Sequence, residues 1–308
     1  MSQMSQPEIA AIICTHNRDN YLGGAIDSLL EQDYSNYEII VIDNASSDRT
    51  SQVVRSRLDN PKLRYIYEPE LGLSIARNRG AKETNAEIIA YLDDDAIASP
   101  QWLREIVTAY RDNPQLAIAG GKVTLIFPEG INKPHWLSDN LAGGLGAYNL
   151  GDKPREINNP NLTPRGVNYS IRRSCLEQLG GFDVNLGRIG KKLLSNEELY
   201  MTEKALKKGW SVMYLPQAIV AHNVAPERLK PGWFLRRSWW QGVSEYYREE
   251  ANLQQGMSQL TRGGERLVRG LSKSILDPQE SFAHLVYAYG QIGYLSLVMQ
   301  NLVKPHQR

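Results

Sequence analysis

The sequence predicts an α/β fold: a mostly parallel central sheet flanked by helices, followed by a helical C-terminal extension. Three observations carry this. Short apolar runs alternate with amphipathic runs of helical length through the first half of the chain, the pattern of βαβ units. Four of the apolar runs end on a polar residue, at Thr15, Asp43, Glu68 and Asp93. From about residue 231 the strand pattern stops and helical spacing takes over.

Residues 9–14 form the first uncharged, apolar strand, and residues 21–32 place Leu22, Ile26, Leu29 and Leu30 at helical spacing. Residues 38–42 are a second strand, closed by Asp43. Residues 48–58 read as a helix capped from the Ser46-Ser47-Asp48 cluster. A third strand covers 63–67, a helix 75–84 and a fourth strand 87–92. A helix over 100–112 and a strand over 116–120 follow. Residues 128–164 are rich in Pro, Gly and Asn, with Trp136 and Tyr148 interspersed, and read as an irregular surface that shapes a pocket. Beyond Gly166, residues 195–208 read as a helix, and 212–215 as a strand that Pro216 ends. This divides the chain into a main α/β domain over 1–230 and a mostly helical extension over 231–308.

Composition bounds the function. The chain has 308 residues, 42% hydrophobic and 22% charged, with a formal net charge of +1. That balance gives no electrostatic case for nucleic acid as a partner. Cys14 and Cys175 are the only cysteines and fit neither a disulfide framework nor zinc spacing, which suits a reducing, cytoplasmic setting. The first ten residues lack the basic and apolar regions of a signal peptide. Residues 281–303 are uncharged and moderately apolar, yet carry His284, Gln291, Gln300 and Asn301. They read as a packed helix rather than a membrane span. Basic residues Arg262, Arg266, Arg269 and Lys273 precede them and add peripheral membrane contact as an expectation.

The richest chemistry lies at Asp93-Asp94-Asp95, directly after the fourth strand. Three carboxylates on one stiff element repel one another, and a divalent cation removes that cost. An acidic, solvated turn is the alternative. Thr15-His16-Asn17-Arg18 after the first strand either holds a base or phosphate or caps a helix. Asp43 either accepts hydrogen bonds from a ligand or makes an Asx turn. Arg77 is a phosphate or carboxylate partner, or a surface arginine. Glu197-Glu198 is a general base in reach of an acceptor hydroxyl, or an acidic first helical turn. His222 either completes a metal shell with Asp95 or is a core histidine. Arg236-Arg237 and Trp239-Trp240 form an arginine–aromatic cluster suited to diphosphate and sugar, or to helix packing.

Taken together the segments IAAIICTHNR, EIIVIDNASSD, LGLSIARNRGA, IIAYLDDDAIASPQWL, GVNYSIRRSCLEQLGGFD and SNEELYMTEKALKKGW resemble the family 2 glycosyltransferases of the GT-A fold over residues 8–225. The continuation AHNVAPERLKPGWFLRRSWWQG resembles a bacterial subgroup of surface-polysaccharide synthesis. The resemblance implies a Rossmann-like GT-A catalytic domain and an inverting transfer from a nucleotide-diphosphate sugar to a hydroxyl acceptor, saccharide or lipid-linked. It implies Mg2+ or Mn2+ on Asp95 with His222. Thr15, Asp43, Arg77, Asp93, Asp94 and Asn168 would contact the nucleotide sugar. Glu198 would stand at the base position, where the family usually has Asp, with Glu197 beside it. The implied location is the cytoplasm or the inner face of the cell membrane. A sugar-phosphate nucleotidyltransferase shares a similar sheet, but THNRDNYLGG is a poor match to its Gly-rich, basic phosphate loop. A non-catalytic nucleotide-binding protein would have little use for both the acid triplet and Glu197-Glu198.

Overall fold

The computed structural model describes residues 6–249, 253–273 and 277–303. Parts of the expected helical extension, at 250–252, 274–276 and 304–308, lie outside the described residues, as do residues 1–5 of the N-terminus read for a signal peptide. The chain forms two compact units. One comprises the residues up to 126 with 146–184 and 197–223; the other comprises 127–145, 185–196 and the residues after 223.

The first unit opens with β1 (Ile9–Thr15), α1 (Asp19–Leu30), β2 (Tyr37–Asn44), α2 (Thr50–Arg55), β3 (Leu63–Glu68), α3 (Leu73–Lys82) and β4 (Ile88–Asp93). Strands β3, β2, β1 and β4 lie side by side and run parallel. The apolar runs of β1, β2 and β4 are buried on both faces, as a covered parallel sheet requires, whereas the edge strand β3 is partly exposed. The register pairs Thr15 with Asp43, Cys14 with Asp93 and Asn44 with Glu68. The four polar strand ends therefore stand along one edge of the sheet. The chain steps outward from β1 to β3 and then returns past β1 to β4. Such a reversal opens a crevice at the carboxyl ends of the strands. Helix α3 lies close on β1 and β2 because Gly80 has no side chain. A Cβ there would stand 2.7 Å from Ile12 Cγ2.

The remaining strands extend the sheet to the order β3-β2-β1-β4-β8-β6-β9-β5. Here β5 is Ala96–Ala98, β6 Leu116–Ile126, β8 Asn168–Arg172 and β9 Ser211–Asn223, while β7 (Arg155–Glu156) pairs with β9. Helix α4 (Trp102–Asp112) follows β5, and α6 (Arg173–Leu179) and α7 (Glu197–Lys207) lie between β8 and β9. Strands β8, β5 and β7 are antiparallel to their partners, so the sheet is mixed, with most of its registered pairs parallel.

Local boundaries depart from the sequence-based expectation in several places. Pro216 does not end its strand. The β6–β9 register shifts between Gly121 and Val123, so residues 216–219 bulge against Lys122 alone. Proline is tolerated in a bulge because no ladder N–H is needed there. Helix α2 is shorter than expected, and Gln32 lies beyond α1, where its side chain binds Ser28 O, Ser99 O and Leu103 N. The stretch expected to be irregular contains β7 and a backbone bridge from Tyr148 to Val123.

In the second unit α5 (Asp139–Ala142), α8 (Pro231–Glu249), α9 (Leu253–Lys273) and α10 (Pro278–Val303) are the helices. Trp136 packs edge-on against Phe234 and Phe282. Small residues bring α8 and α10 into close contact: Gly242 backs onto Gly290 O, and Ser238 Oγ donates to Val286 O at 2.6 Å. No helix among the described residues is long and apolar enough to cross a membrane.

The bulge yields a prediction. A Cβ at Gly121 would run into the carbonyl oxygens of Ala218 and Leu215, which are backbone and cannot step aside. Gly121→Ala should cost about 3 kcal/mol of stability, the upper range for overpacking. Urea unfolding of the two proteins measures it, and equal midpoints would show that the bulge does not pack as described.

Candidate active site

At the carboxyl edge of the sheet the loops after β1 and β2 are tied together. Asn17, in the left-handed region at φ 54°, donates its N–H to Ser46 Oγ at 3.0 Å, and its Oδ1 accepts from Ser47 N at 2.8 Å. Ala45, also left-handed at φ 57°, follows Asn44. Asn44 Oδ1 accepts from Gly72 N, and Asn44 Nδ2 donates to Glu70 O. The loop between β3 and α3 is thereby joined to the same edge. Asp43 is buried. Its Oδ1 accepts from Ser46 N, three residues on, and its Oδ2 accepts from the Tyr65 hydroxyl at 2.6 Å. Thr15 is buried at the end of β1.

Beside these loops the acid triplet takes shape. Asp93 ends β4, and Asp94 and Asp95 form the turn into β5. Strand β5 pairs antiparallel with β9, which sets Ala96 opposite His222. That ladder places His222 Nε2 2.9 Å from Asp95 Oδ1. Asn223 holds the turn from behind, donating both its N–H and its side-chain amide to Asp95 O. Gly146, left-handed at φ 96°, lies against the imidazole, where a Cβ would be 3.1 Å from Nδ1. Ligand atoms of Asp93, Asp95 and His222 all fall within 4.8 Å of one another. Two carboxylates and one imidazole form a donor set that suits Mn2+ or Mg2+. Electrostatics agree with that fit. Burial and the neighbouring Asp95 push the Asp94 carboxyl up to about 7, although Arg18 opposes them. A bound cation would lower that cost.

Arg18 is a site residue that sequence reasoning left inside a motif without a role. Its Nη2 pairs with Asp95, and its Nε lies 3.6 Å from Asp94 Oδ1. Burial works against its charge, but Asp95 and Asp94 outweigh it, and the guanidinium is held above its ordinary range. The signal available in the sequence was an arginine three residues after a strand that adjoins the acid-bearing strand.

Arg77 pairs with carboxylates. It is 2% exposed, and its Nη1 donates to Glu197 Oε1 at 3.1 Å and to Glu198 Oε1 at 2.9 Å. Burial penalises the guanidinium, yet Glu198, Glu197 and Asp93 outweigh it and hold it protonated well beyond its usual range. This one residue thus senses both the glutamate pair and the acid triplet. Glu197 and Glu198 open α7, where the helix dipole favours acids. Glu197 is 4% exposed at its side chain and Glu198 15%, so Glu198 is the more accessible. Asn168 is fully buried. Its Oδ1 accepts from Trp102 Nε1 at 2.9 Å, and its Nδ2 donates to Ala218 O at 2.8 Å. The Asn168 amide thereby joins β8, α4 and the bulge of β9.

The comparisons with known proteins bear on this edge. The model of the family described as glycosyl transferase family 2 matches residues 10–179. A glucosyl-dolichyl phosphate glucuronosyltransferase of Haloferax volcanii is 26% identical over 245 residues, covering 77% of this chain and 76% of that protein. Among solved structures, a mannosyltransferase from Pyrobaculum calidifontis in complex with GDP-Man and Mn2+ superposes with a TM-score of 0.63 at 18% identity. It covers 96% of this chain and 88% of its own. The S. aureus protein TarS, residues 1–349 with UDP, gives 0.53 at 16% identity over 98% and 93% of the two chains. At these identities the two structures establish the fold.

Proposed function

The chain belongs to glycosyl transferase family 2 and is a glycosyltransferase, and we propose that it moves a sugar, with inversion, from a nucleoside-diphosphate sugar to an acceptor hydroxyl. One observation carries the reading. Arg77 joins the Glu197–Glu198 pair and senses Asp93 of the acid triplet, so a candidate base and a candidate metal group belong to one edge of one sheet.

Asp93, Asp95 and His222 would hold Mn2+ or Mg2+, and a cation held there supplies charge stabilisation for the departing diphosphate. The loops bearing Thr15, Asp43 and Asn17 form the base-side rim, and Asp94 stands on the ribose side. Glu198 takes the proton of the acceptor hydroxyl as that oxygen attacks the anomeric carbon from the face opposite the diphosphate. The bond from the anomeric carbon to the phosphate oxygen breaks, and its electron pair leaves with the nucleoside diphosphate. One displacement inverts the anomeric centre. Glu198 carries the base role rather than Glu197 because it is the more exposed of the two. Asn168 acts from behind, keeping β8 and the β9 bulge in place for His222.

A lipid-linked acceptor fits the name of the Haloferax relative, which includes dolichyl phosphate. Synthesis of a surface polysaccharide is the setting in which such a transfer would serve. For this setting we also propose a peripheral contact with an anionic membrane through α9. Leu260, Leu267 and Leu271 recur at helical spacing and are exposed, and the same helix carries Arg262, Arg266, Arg269 and Lys273.

Two outcomes are expected. Glu198→Gln should lower turnover by about 10²–10⁴-fold, the range for losing a general base, while donor affinity stays near wild type. Single-turnover assays and nucleotide-sugar titrations measure the two separately. Weakened donor binding with intact turnover would contradict the base role. The protein should also co-sediment with vesicles containing phosphatidylglycerol more than with neutral vesicles, and Leu267→Asp with Leu271→Asp should abolish the difference. Equal sedimentation of the double variant and wild type would sink the membrane reading.

A further inference from the structure

We propose that Arg77 is a positioning residue for the general base, holding the Glu197–Glu198 carboxylates in place against their mutual repulsion, and that Gly166 is the residue whose missing side chain makes room for this contact. The inference rests on the reading of Glu198 as the base. It assigns Arg77 to the acceptor half of the reaction instead of to the donor.

Four observations support it. The guanidinium is withdrawn from solvent, so in this arrangement it offers no open face to a diphosphate. One nitrogen, Nη1, is shared between the Oε1 atoms of both glutamates, which anchors one oxygen of each carboxylate. The guanidinium lies over the rings of Tyr91, at 5.6 Å, and Phe182, at 5.4 Å, and the Tyr91 hydroxyl donates to Arg77 O. The cation is therefore clamped by its own surroundings before it meets the acids. Finally, a Cβ at Gly166 would run into Glu198 Oε1 and would come within 2.5 Å of Arg77 Nη2. No φ in the left-handed region explains glycine at 166. The space its missing side chain leaves is taken up by the ion pair.

The physical logic is simple. Two adjacent, largely buried carboxylates repel each other and are penalised by desolvation, and both effects favour protonation. A protonated Glu198 cannot take a proton from the acceptor. A buried guanidinium between the two carboxylates offsets their repulsion. Arg77 from α3 supplies a positive charge to the pair, Asp93 from β4 acts on Arg77, and Tyr169 from β8 senses Glu198.

The test is the pH profile of kcat/KM for wild type, Arg77→Met, Arg77→Lys and Gly166→Ala, with donor KM measured on the plateau. Removing the cation should raise the pH at which activity is lost on the acid side by about 1–3 units, the shift an adjacent arginine imposes on a carboxyl. Arg77→Lys keeps the charge and should hold the acid limb near wild type. Gly166→Ala keeps both charges but displaces the contact. It should move the limb in the same direction as Arg77→Met and lower kcat by about 10²-fold, the cost of a misplacement near 1 Å, with donor KM little changed. If Arg77→Met does not fold, Gly166→Ala decides. An unmoved acid limb in the deciding variant, or a loss confined to donor KM, overturns the proposal. Glu198→Gln separates this failure from failure of the underlying reading. If Glu198→Gln is inactive while the limb stays put in the Arg77 and Gly166 variants, only the inference falls. If Glu198→Gln turns over normally, the base itself is misassigned.

Discussion

Gathering carboxylates against their mutual repulsion is the constraint on which this active edge depends. Asp93, Asp94 and Asp95 arrive together on one strand end, and Glu197 and Glu198 on one helical turn. Like charges gathered this closely repel one another, and partial burial adds to that cost. The fold answers with cations delivered from distant parts of the chain. Arg18 pairs with Asp94 and Asp95, and Arg77 is buried against both glutamates. Apart from these charges, the His222 imidazole lies on Asp95. The balance is local. At Asp94 burial and Asp95 still prevail over Arg18 and lift the carboxyl to about 7. That residual cost is what a divalent metal group of Asp93, Asp95 and His222 would relieve.

Several backbone features read as consequences of this constraint. The β5–β9 ladder exists at only three residue pairs, yet it sets His222 against Asp95. The bulge that admits Pro216 lets β9 continue as far as that ladder. Gly80 lets α3 sit close on the sheet and so sinks Arg77 beneath the glutamates. Gly146 and Gly166 each leave room for a functional side chain, the imidazole in one case and the ion pair in the other. The left-handed Asn17 and Ala45 lie at the ends of β1 and β2, where three loops share hydrogen bonds.

Much of this was legible in the sequence, for identifiable reasons. The strands β1 to β4 are uncharged runs bounded by polar residues, and their parallel register follows from the intervening helices. The alignment of Thr15, Asp43, Glu68 and Asp93 along one edge was readable for that reason. Short antiparallel pieces were not readable. Ala96–Ala98 and Arg155–Glu156 are too brief for periodicity to register, and Pro216 looks like a strand end unless the bulge opposite it is known. The partners of Arg77 lie 120 and 121 positions away, so no local pattern could pair them. Asn168 illustrates a different limit. A motif can place a residue near a site without saying whether its amide faces a ligand or, as here, binds Trp102 and Ala218.

The account turns on the acid triplet serving a cation and a diphosphate together. Calorimetric titration of UDP and GDP with and without Mn2+, in wild type and in Asp95→Asn, tests this most directly. Mn2+ should tighten binding of at least one of the two nucleotides to the wild-type protein. The gain should vanish in Asp95→Asn while the variant keeps its fold. An equal Mn2+ effect in both proteins would contradict the account.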